Sequence, residues 1–187
     1  MNREVHFRES PQTWAPSIQD ILAVFCNYGC EVKTLLPDHV ISPSKDYSSS
    51  LIHQDQDGVN PLVGHYSLRN LHLVLNILAQ ALHARPRYCN KELTELLVIM
   101  CRVAVDRSHN SEILPHEFQV CFRGILRSFT SNYWDENCNE LCQTVFKINS
   151  HHHNRLYLAQ LFPEDKRGGY LQKRLAYLCL QDMFEVG

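Results

Sequence analysis

Three consecutive histidines, His151 to His153, and two cysteines four residues apart, Cys138 and Cys142, are the side chains of this sequence best suited to hold a metal. Thiolate and imidazole are the usual ligands of structural zinc. Neighbouring side chains on a helix point about 100° apart, so three adjacent imidazoles cannot converge on one ion. A zinc site would need Cys138, Cys142 and one histidine of the triplet. We keep this as the alternative hypothesis, a metal-stabilised structural domain.

Packing and capping explain the same residues without a metal. Cys138 and Cys142 share a helical face with three large apolar residues, Trp134, Leu141 and Val145, among which a thiol packs as a small apolar group. The triplet follows Asn149 and Ser150, whose side chains compete for backbone partners and favour the end of one helix and the start of the next. This interpretation predicts a tight connector and no metal ligand.

Other patterns that could support chemistry are incomplete. When Gly58 of the segment from His53 to Gly64 is aligned with the required glycine of a calcium loop, the last ligand position lacks its bidentate carboxylate. His116-Glu117 begins the zinc-protease pattern H-E-x-x-H, but valine stands at position 120, where the pattern requires its second histidine. Phosphate loops and nucleophile elbows are also missing. The sequence therefore predicts no enzyme, no catalytic residue, no cofactor and no small-molecule substrate.

A cysteine hydrolase is the third hypothesis, because 8 Cys and 11 His allow many Cys/His pairs. With so many of each residue, a pair is expected by coincidence, and most of the cysteines lie on or beside apolar stripes. The hypothesis requires one cysteine with a low pKa that reacts much faster than the others. Nucleophile, base and orienting group are all unidentified in the sequence.

Composition predicts a globular chain that binds neither nucleic acid nor membrane. Of its 187 residues, 44% are hydrophobic and 20% charged, and the formal charge is -2. The one basic cluster (Lys166, Arg167, Lys173 and Arg174) is typical of the solvated edge of a helix. No apolar run reaches the roughly 20 residues of a membrane span, and the start lacks the apolar segment of a secretory signal. Together with the cysteines, expected to be reduced, this predicts the cytosol or the nucleus.

Amphipathic helices must position these side chains, and their limits are marked by capping and breaking residues. Ser17 to Asp20 reads as a capping box, and Gly29 is placed to end that helix. Ser67 and Asn90 are predicted to cap the next two helices, and Pro115 to open the fourth. Further helices are predicted around Trp134 to Val145, from Leu156 to Phe162, and from about Gly169 onward.

Within these helices the apolar residues are spaced three or four positions apart, so they form a stripe along one face. The stripes are Ile18/Ile21/Leu22/Phe25, Leu71/Val74/Leu75/Leu78/Ala81/Leu82, Phe118/Cys121/Phe122/Ile125/Leu126 and Leu171/Leu175/Leu178/Met183. The helix after Asn90 is apolar on nearly every side, so we expect it to be the centre of the fold. No segment alternates with the period of a strand. The prediction is an all-α fold of about seven helices stacked as helical pairs, with a long loop near residues 37–66. A solenoid-like arrangement of the pairs would suit this pattern.

Two segments resemble a known family. "RESPQTWAPSIQDILAVF" (Arg8 to Phe25) and "SHHHNRLYLAQLFP" (Ser150 to Pro163) are similar to the C-terminal helical domain of the "family with sequence similarity 178" proteins. The likeness covers most of Arg8 to Phe184 and is loose between Asp38 and Tyr66. It identifies the chain as a paralogue or distant member of the family.

The resemblance implies a non-enzymatic nuclear scaffold. Its partner would be a helical protein, namely a subunit of, or an adaptor to, the five–six SMC complex, and its role recruitment or regulation of that complex in genome maintenance and DNA repair. We expect residues 1–187 to form a single helical interaction domain, with 1–15 as an extended N-terminal segment. The family domain continues further, whereas this chain ends at "DMFEVG" within a helix. That ending predicts a shortened form whose last helix lacks its cover and whose binding is reduced or lost.

Overall fold

The computed structural model describes residues 15–27, 35, 63–84, 88–105 and 115–185, and in them the chain forms seven α-helices and no strand. The helices are α1 (Ile18–Asn27), α2 (Val63–His83), α3 (Asn90–Val105), α4 (Pro115–Ser128), α5 (Ser131–Phe146), α6 (His152–Leu161) and α7 (Lys166–Glu185). The predicted all-α class is confirmed. None of these helices is both long enough and apolar enough to cross a membrane.

The apolar stripes decide which face of each helix is buried. All four stripe residues of α1 and all five of α4 are buried, as predicted from their three- and four-residue spacing. On α2, Leu71, Leu75, Leu78, Ala81 and Leu82 are buried, whereas Val74 is half-buried. Apart from Val74 and Ala81, these side chains join one hydrophobic cluster that extends from Ile18 to Leu178. The spacing of apolar residues therefore specifies most of the core.

Helix α3 lies at the centre of the core, as its composition predicts. Its buried residues occupy every side of the helix: Leu93, Glu95, Leu96, Leu97, Val98, Ile99, Met100, Cys101, Val103 and Ala104. It packs against α1, α4, α5 and α6. Helix α4 is equally central, because it packs against α2, α3, α6 and α7. Each helix thus packs on its neighbours in pairwise contacts, and α3 and α4 each pack against four other helices.

Two predicted helix starts are wrong. Helix α2 begins at Val63, so Ser67 lies inside it and residues 63–66 do not belong to the predicted loop 37–66. A serine cap contributes only about 1 kcal/mol, which the hydrogen bonds of one additional helical turn can offset. Asn90 does not cap α3, since the carbonyl of Cys89 accepts the first bond of the helix, from the N–H of Leu93. The Asn90 side chain instead accepts a bond from the N–H of Thr130, the N-cap of α5.

The last helix also differs from its prediction at both ends. Helix α7 begins at Lys166, three residues before Gly169, because the Asp165 carboxylate accepts a bond from the N–H of Gly168 and so caps the helix. Met183, predicted to be buried with Leu171, is 53% exposed, because no described helix packs on that side of α7. The predictions for residues 1–14, Gly29, Cys30, the loop from 37 to 62 and the segment after His53 lie outside the described residues.

A capping box begins α1, and a tyrosine hydroxyl joins this start to that of α3. The predicted capping box of α1 is present, because Ser17 N–H donates to the Asp20 carboxylate and Asp20 N–H donates to Ser17 Oγ, at 2.8 and 3.1 Å. These bonds lower the pKa of Asp20. The Tyr88 hydroxyl, just before α3, donates to the carbonyl of Pro16. The two helix starts are therefore joined through Tyr88.

Replacing Tyr88 by phenylalanine is expected to destabilise the protein by about 1 kcal/mol, because the Pro16 carbonyl loses its donor. Burial, and then the nearby carboxylates of Glu92 and Asp20, raise the pKa of Tyr88 from 10.0 to about 12. The protonated tyrosine therefore stabilises the fold below pH 10, and this contribution is lost as the pH rises toward 12. Urea unfolding should show the wild-type advantage over Tyr88→Phe shrinking from roughly pH 8 to roughly pH 11. A constant advantage would contradict the assignment.

Candidate interaction surface

The histidine triplet lies where α6 begins and is a connector, as the capping interpretation predicts. His151 has the extended backbone of an N-cap, its N–H donates to Asn149 Oδ1 at 2.8 Å, and its imidazole caps nothing. His152 and His153 occupy the first turn of α6. The Nδ1 atom of His152 lies 3.8 Å from the carboxylate of Asp182 on α7. Only His152 of the three has a described ring contact, and His151 lies outside the helix that holds the other two.

The Arg155 side chain holds this connector in place through hydrogen bonds that no sequence pattern predicts. Its Nε donates to the carbonyls of Phe146, at 3.1 Å, and Asn149, at 2.6 Å, where α5 ends and the connector follows. Its Nη1 donates to Asp182 Oδ2 at 2.6 Å, and its guanidinium lies 3.7 Å from the centre of the Phe146 ring. One cation thus joins the end of α5, the start of α6 and the end of α7.

Helices α6 and α7 form an antiparallel pair. Arg155 meets Asp182 at one end, and at the other end Gln172 Nε2 donates to the carbonyl of Phe162 at 2.7 Å. Leu158, Ala159, Leu171, Leu175 and Leu178 fill the buried side of the pair. The outer side of α7 is consequently free of the described helices.

This outer side carries a row of exposed apolar residues, Tyr177, Leu180 and Phe184, which we call the α7 row. They follow the spacing i, i+3, i+7 and so share one helical face. Their side chains are 50%, 53% and 81% exposed. Large apolar residues grouped on one face mark an interaction surface more often than single ones do. The signal was present in the sequence as a second stripe on the last helix, beside the buried one.

The residues of the basic cluster near the start of α7 do not all face solvent. Lys166 and Lys173 are exposed, as a solvated edge requires. Arg167 is not part of that edge, because its Nη1 donates to the carbonyl of Leu126, in the last turn of α4, at 2.5 Å and to that of Phe129, just beyond α4, at 2.8 Å. Its guanidinium also faces the Trp134 ring at 5.2 Å. Arg167 therefore stabilises the junction of α4 and α7, and the prediction of a wholly solvated cluster is wrong for it.

The predicted zinc ligands do not come together. Cys142 is buried and Cys138 half-buried on α5, as the packing interpretation predicts. Among the described residues, no three His, Cys, Asp or Glu side chains are grouped closely enough to hold a metal ion. Cys138, Cys142 and the triplet all lie within that part of the chain. The site proposed in the alternative hypothesis is therefore not formed.

Burial makes several thiols poor nucleophiles. It raises the pKa of Cys121 and of Cys142 to about 12 each, and it raises the pKa of Cys101 further. The Cys121 thiol donates to the carbonyl of Leu75, between α4 and α2. A nucleophilic cysteine needs the opposite shift, because the thiolate is the reactive form. These three cysteines serve as packing groups.

Alkylation should separate the cysteines by exposure. We expect iodoacetamide to modify Cys89, the exposed thiol before α3, at least tenfold faster than Cys101, Cys121 and Cys142 in the folded protein. Peptide mapping by mass spectrometry at increasing times measures each rate. The difference should vanish in concentrated urea. Rapid modification of a buried thiol without urea would revive the hydrolase hypothesis.

Comparison with known proteins identifies the family. Residues 3–185 match the Coiled-coil and Nse Interacting (CANIN) domain. The SMC5-SMC6 complex localization factor protein 2 of Danio rerio is 28% identical over 181 residues, which are 91% of this chain and 16% of that protein. Its namesake in Homo sapiens is 24% identical over 192 residues, and human Protein FAM178B is 25% identical over 185 residues.

These relatives are much longer proteins. The chain spans 16% of the length of both localization factors and 26% of the length of Protein FAM178B. The match nevertheless covers 96% of this chain for the human factor and 94% for FAM178B, so it includes all seven described helices. The resemblance seen in the two quoted segments is confirmed, and the chain belongs to the CANIN domain family.

Proposed function

We propose that this chain is a non-enzymatic, nuclear interaction domain that binds a helical protein partner of the SMC5-SMC6 complex and so helps to recruit or regulate that complex. The observation that carries the proposal is the CANIN match over residues 3–185, a family described by its interaction with Nse proteins. Relatives of this chain are named for localization of the SMC5-SMC6 complex. We further propose that residues 1–187 act as a single domain.

The α7 row is the surface best suited to the partner. An amphipathic helix offers apolar residues at the same i, i+3, i+7 spacing, so it can lie along Tyr177, Leu180 and Phe184. Aromatic side chains such as those of Tyr177 and Phe184 are enriched in interfaces, and tyrosine is common among the residues that dominate the binding energy. Lys173 is exposed one turn before Tyr177 and favours acidic residues on the partner at that end. The contact needs no catalytic group, in agreement with the raised pKa of the buried thiols.

Affinity purification from nuclear extract tests the proposal. The tagged chain is expected to recover SMC5-SMC6 components, identified by mass spectrometry. The double variant Leu180→Asp with Phe184→Asp should recover at least tenfold less, because it places two charges in the apolar contact. Asn132→Asp with Gln160→Asp, which adds the same two charges at exposed positions on α5 and α6, is the matched control and should bind as the wild type does.

Each failure has a different meaning. If the folded wild-type chain, checked by circular dichroism, recovers no SMC5-SMC6 component, the proposed function is wrong. If wild type and double variant recover the complex equally, the function stands and the α7 row is not the surface.

A further inference from the structure

A second surface, formed by different helices, is a groove between α2 and α4. Its volume is about 740 Å³, within the range that holds a bound ligand or several side chains of a partner. The described residues that matter most in its lining are Leu82, His83, Val120, Arg123, Gly124 and Arg127. Three of these six residues, His83, Arg123 and Arg127, are basic and none is acidic, so the lining favours a negatively charged ligand.

The floor of the groove is the place where α2 and α4 touch. A Cβ atom on residue 124 would lie 2.7 Å from the Cβ of Leu82, so only glycine allows this approach. Because Gly124 has no side chain, the backbone of α4 comes directly against Leu82 of α2, and both residues line the groove. Longer side chains of α4 also line the groove: that of Arg123, next to Gly124, and those of Val120 and Arg127, one turn away on either side.

The positive charge of the groove is not neutralised within the described part of the chain. Arg123 is half-buried and makes no hydrogen bond or ion pair with a described residue. Arg127 is 65% exposed, and its Nε lies 3.7 Å from Asp165, whose other carboxylate oxygen caps α7. Glu117, the acidic residue on this side of α4, lies 3.0 Å from His72 Nδ1. An arginine that has no partner among the described residues, beside a second one held weakly, is a site for an anion.

We propose that this groove binds an acidic, amphipathic segment of a partner protein. Two guanidinium groups at positions i and i+4 of one helix can each donate two hydrogen bonds to a carboxylate, in the bidentate geometry that arginine favours. The apolar atoms of Val120 and Leu82 between them match an apolar side chain of the same segment. Nucleic acid is the weaker match, because phosphate tracking needs a longer basic surface than three side chains on a chain of net charge -2.

The inference goes beyond the SMC5-SMC6 proposal, because it involves α2 and α4 instead of the α7 row and does not depend on which protein binds. A binding assay with defined probes tests it. The probes are three fluorescein-labelled 16-residue peptides that share their leucine positions and carry glutamate, lysine or serine elsewhere, together with a 16-nucleotide single-stranded DNA. Fluorescence anisotropy measures the affinity of the full chain for each.

We expect the glutamate peptide to bind at least tenfold more tightly than the serine peptide and the DNA, and more weakly as salt increases. Arg123→Glu with Arg127→Glu should weaken its binding at least tenfold. Lys147→Glu with Lys166→Glu makes the same change in net charge at exposed positions outside the groove and should leave binding unchanged. Arg123→Gln, which removes a guanidinium that bonds no side chain or carbonyl in the described part of the chain, should weaken binding about threefold or more without disturbing the fold.

Three results would overturn the proposal. The first is equal binding of the glutamate and serine peptides to the wild type. The second is equal loss of binding in the groove variant and in the lysine control, which would indicate a non-specific charge effect. The third is a preference for the DNA, which would assign the groove to phosphate. Circular dichroism of each variant confirms that the helices are retained.

Discussion

Replacing Gly168 by alanine is expected to destabilise the protein by about 3 kcal/mol, although the change adds only one methyl group. A Cβ atom at this position would lie 2.0 Å from the carbonyl oxygen of Pro163 and 2.7 Å from its Cγ. The nearest atom belongs to backbone, which cannot turn away as the end of a flexible side chain can. The first turn of α7 would have to move away from Pro163, and Asp165 would lose its capping contact with Gly168.

Gly169 provides a matched control for this prediction. It is the next residue of the same helical turn, and a Cβ atom added there would have no neighbour within 4 Å. Gly169→Ala should therefore be neutral or stabilise the protein by up to about 1 kcal/mol, because alanine loses less backbone entropy in a helix. Thermal unfolding should show Tm falling by roughly 6–12 °C in Gly168→Ala and remaining level or rising in Gly169→Ala. Similar Tm values for the two variants would contradict the close contact.

The pattern of apolar residues was sufficient to predict the core, and the reason is local. The residues of a stripe share one face wherever the helix lies, so Phe118 to Leu126 on α4 could be assigned to the interior without knowing its neighbours. The all-apolar composition of α3 similarly predicted its central position. Capping was also local for Ser17 and Asp20, which lie three residues apart.

What could not be predicted depends on residues far apart in the chain. Asn90 was expected to cap its own helix, but its side chain bonds Thr130, 40 positions later. Arg167 was assigned to solvent, but its partners are carbonyls 38 and 41 positions away. Whether an arginine is solvated or buried depends on which carbonyls the fold brings near it, and periodicity contains no such information.

The two candidate surfaces also differ in whether they can be found from local sequence patterns. The α7 row can be found in the sequence, because Tyr177, Leu180 and Phe184 form a second stripe on a helix whose first stripe is already complete. The groove could not be found there, because it requires Gly124 to contact Leu82 across two helices. The zinc hypothesis failed for the same reason, since four-residue spacing places two thiols on one face and says nothing about a third ligand.

Arg155 should make the largest contribution to stability of any single polar side chain in the α5–α6–α7 junction. Arg155→Ala is expected to destabilise the protein by about 3 kcal/mol, because two carbonyls and the Asp182 carboxylate lose their donor together. The arginine side chain is 10% exposed and that of Asp182 is 38% exposed, so the ion pair itself is partly screened by water. Most of the loss should therefore come from the carbonyls of Phe146 and Asn149.

Two further variants separate these contributions. Asp182→Asn removes the ion pair and leaves both carbonyl bonds, so it should cost about 1 kcal/mol or less. Arg155→Lys retains the charge but has one nitrogen in place of the planar fork, so it cannot reach Asp182 and both carbonyls together and should cost about 2 kcal/mol. Urea unfolding at neutral pH gives the three free energies. If Asp182→Asn costs as much as Arg155→Ala, the ion pair holds the junction and the carbonyl bonds add little, because losing the carboxylate alone would then suffice to release α6 from α7.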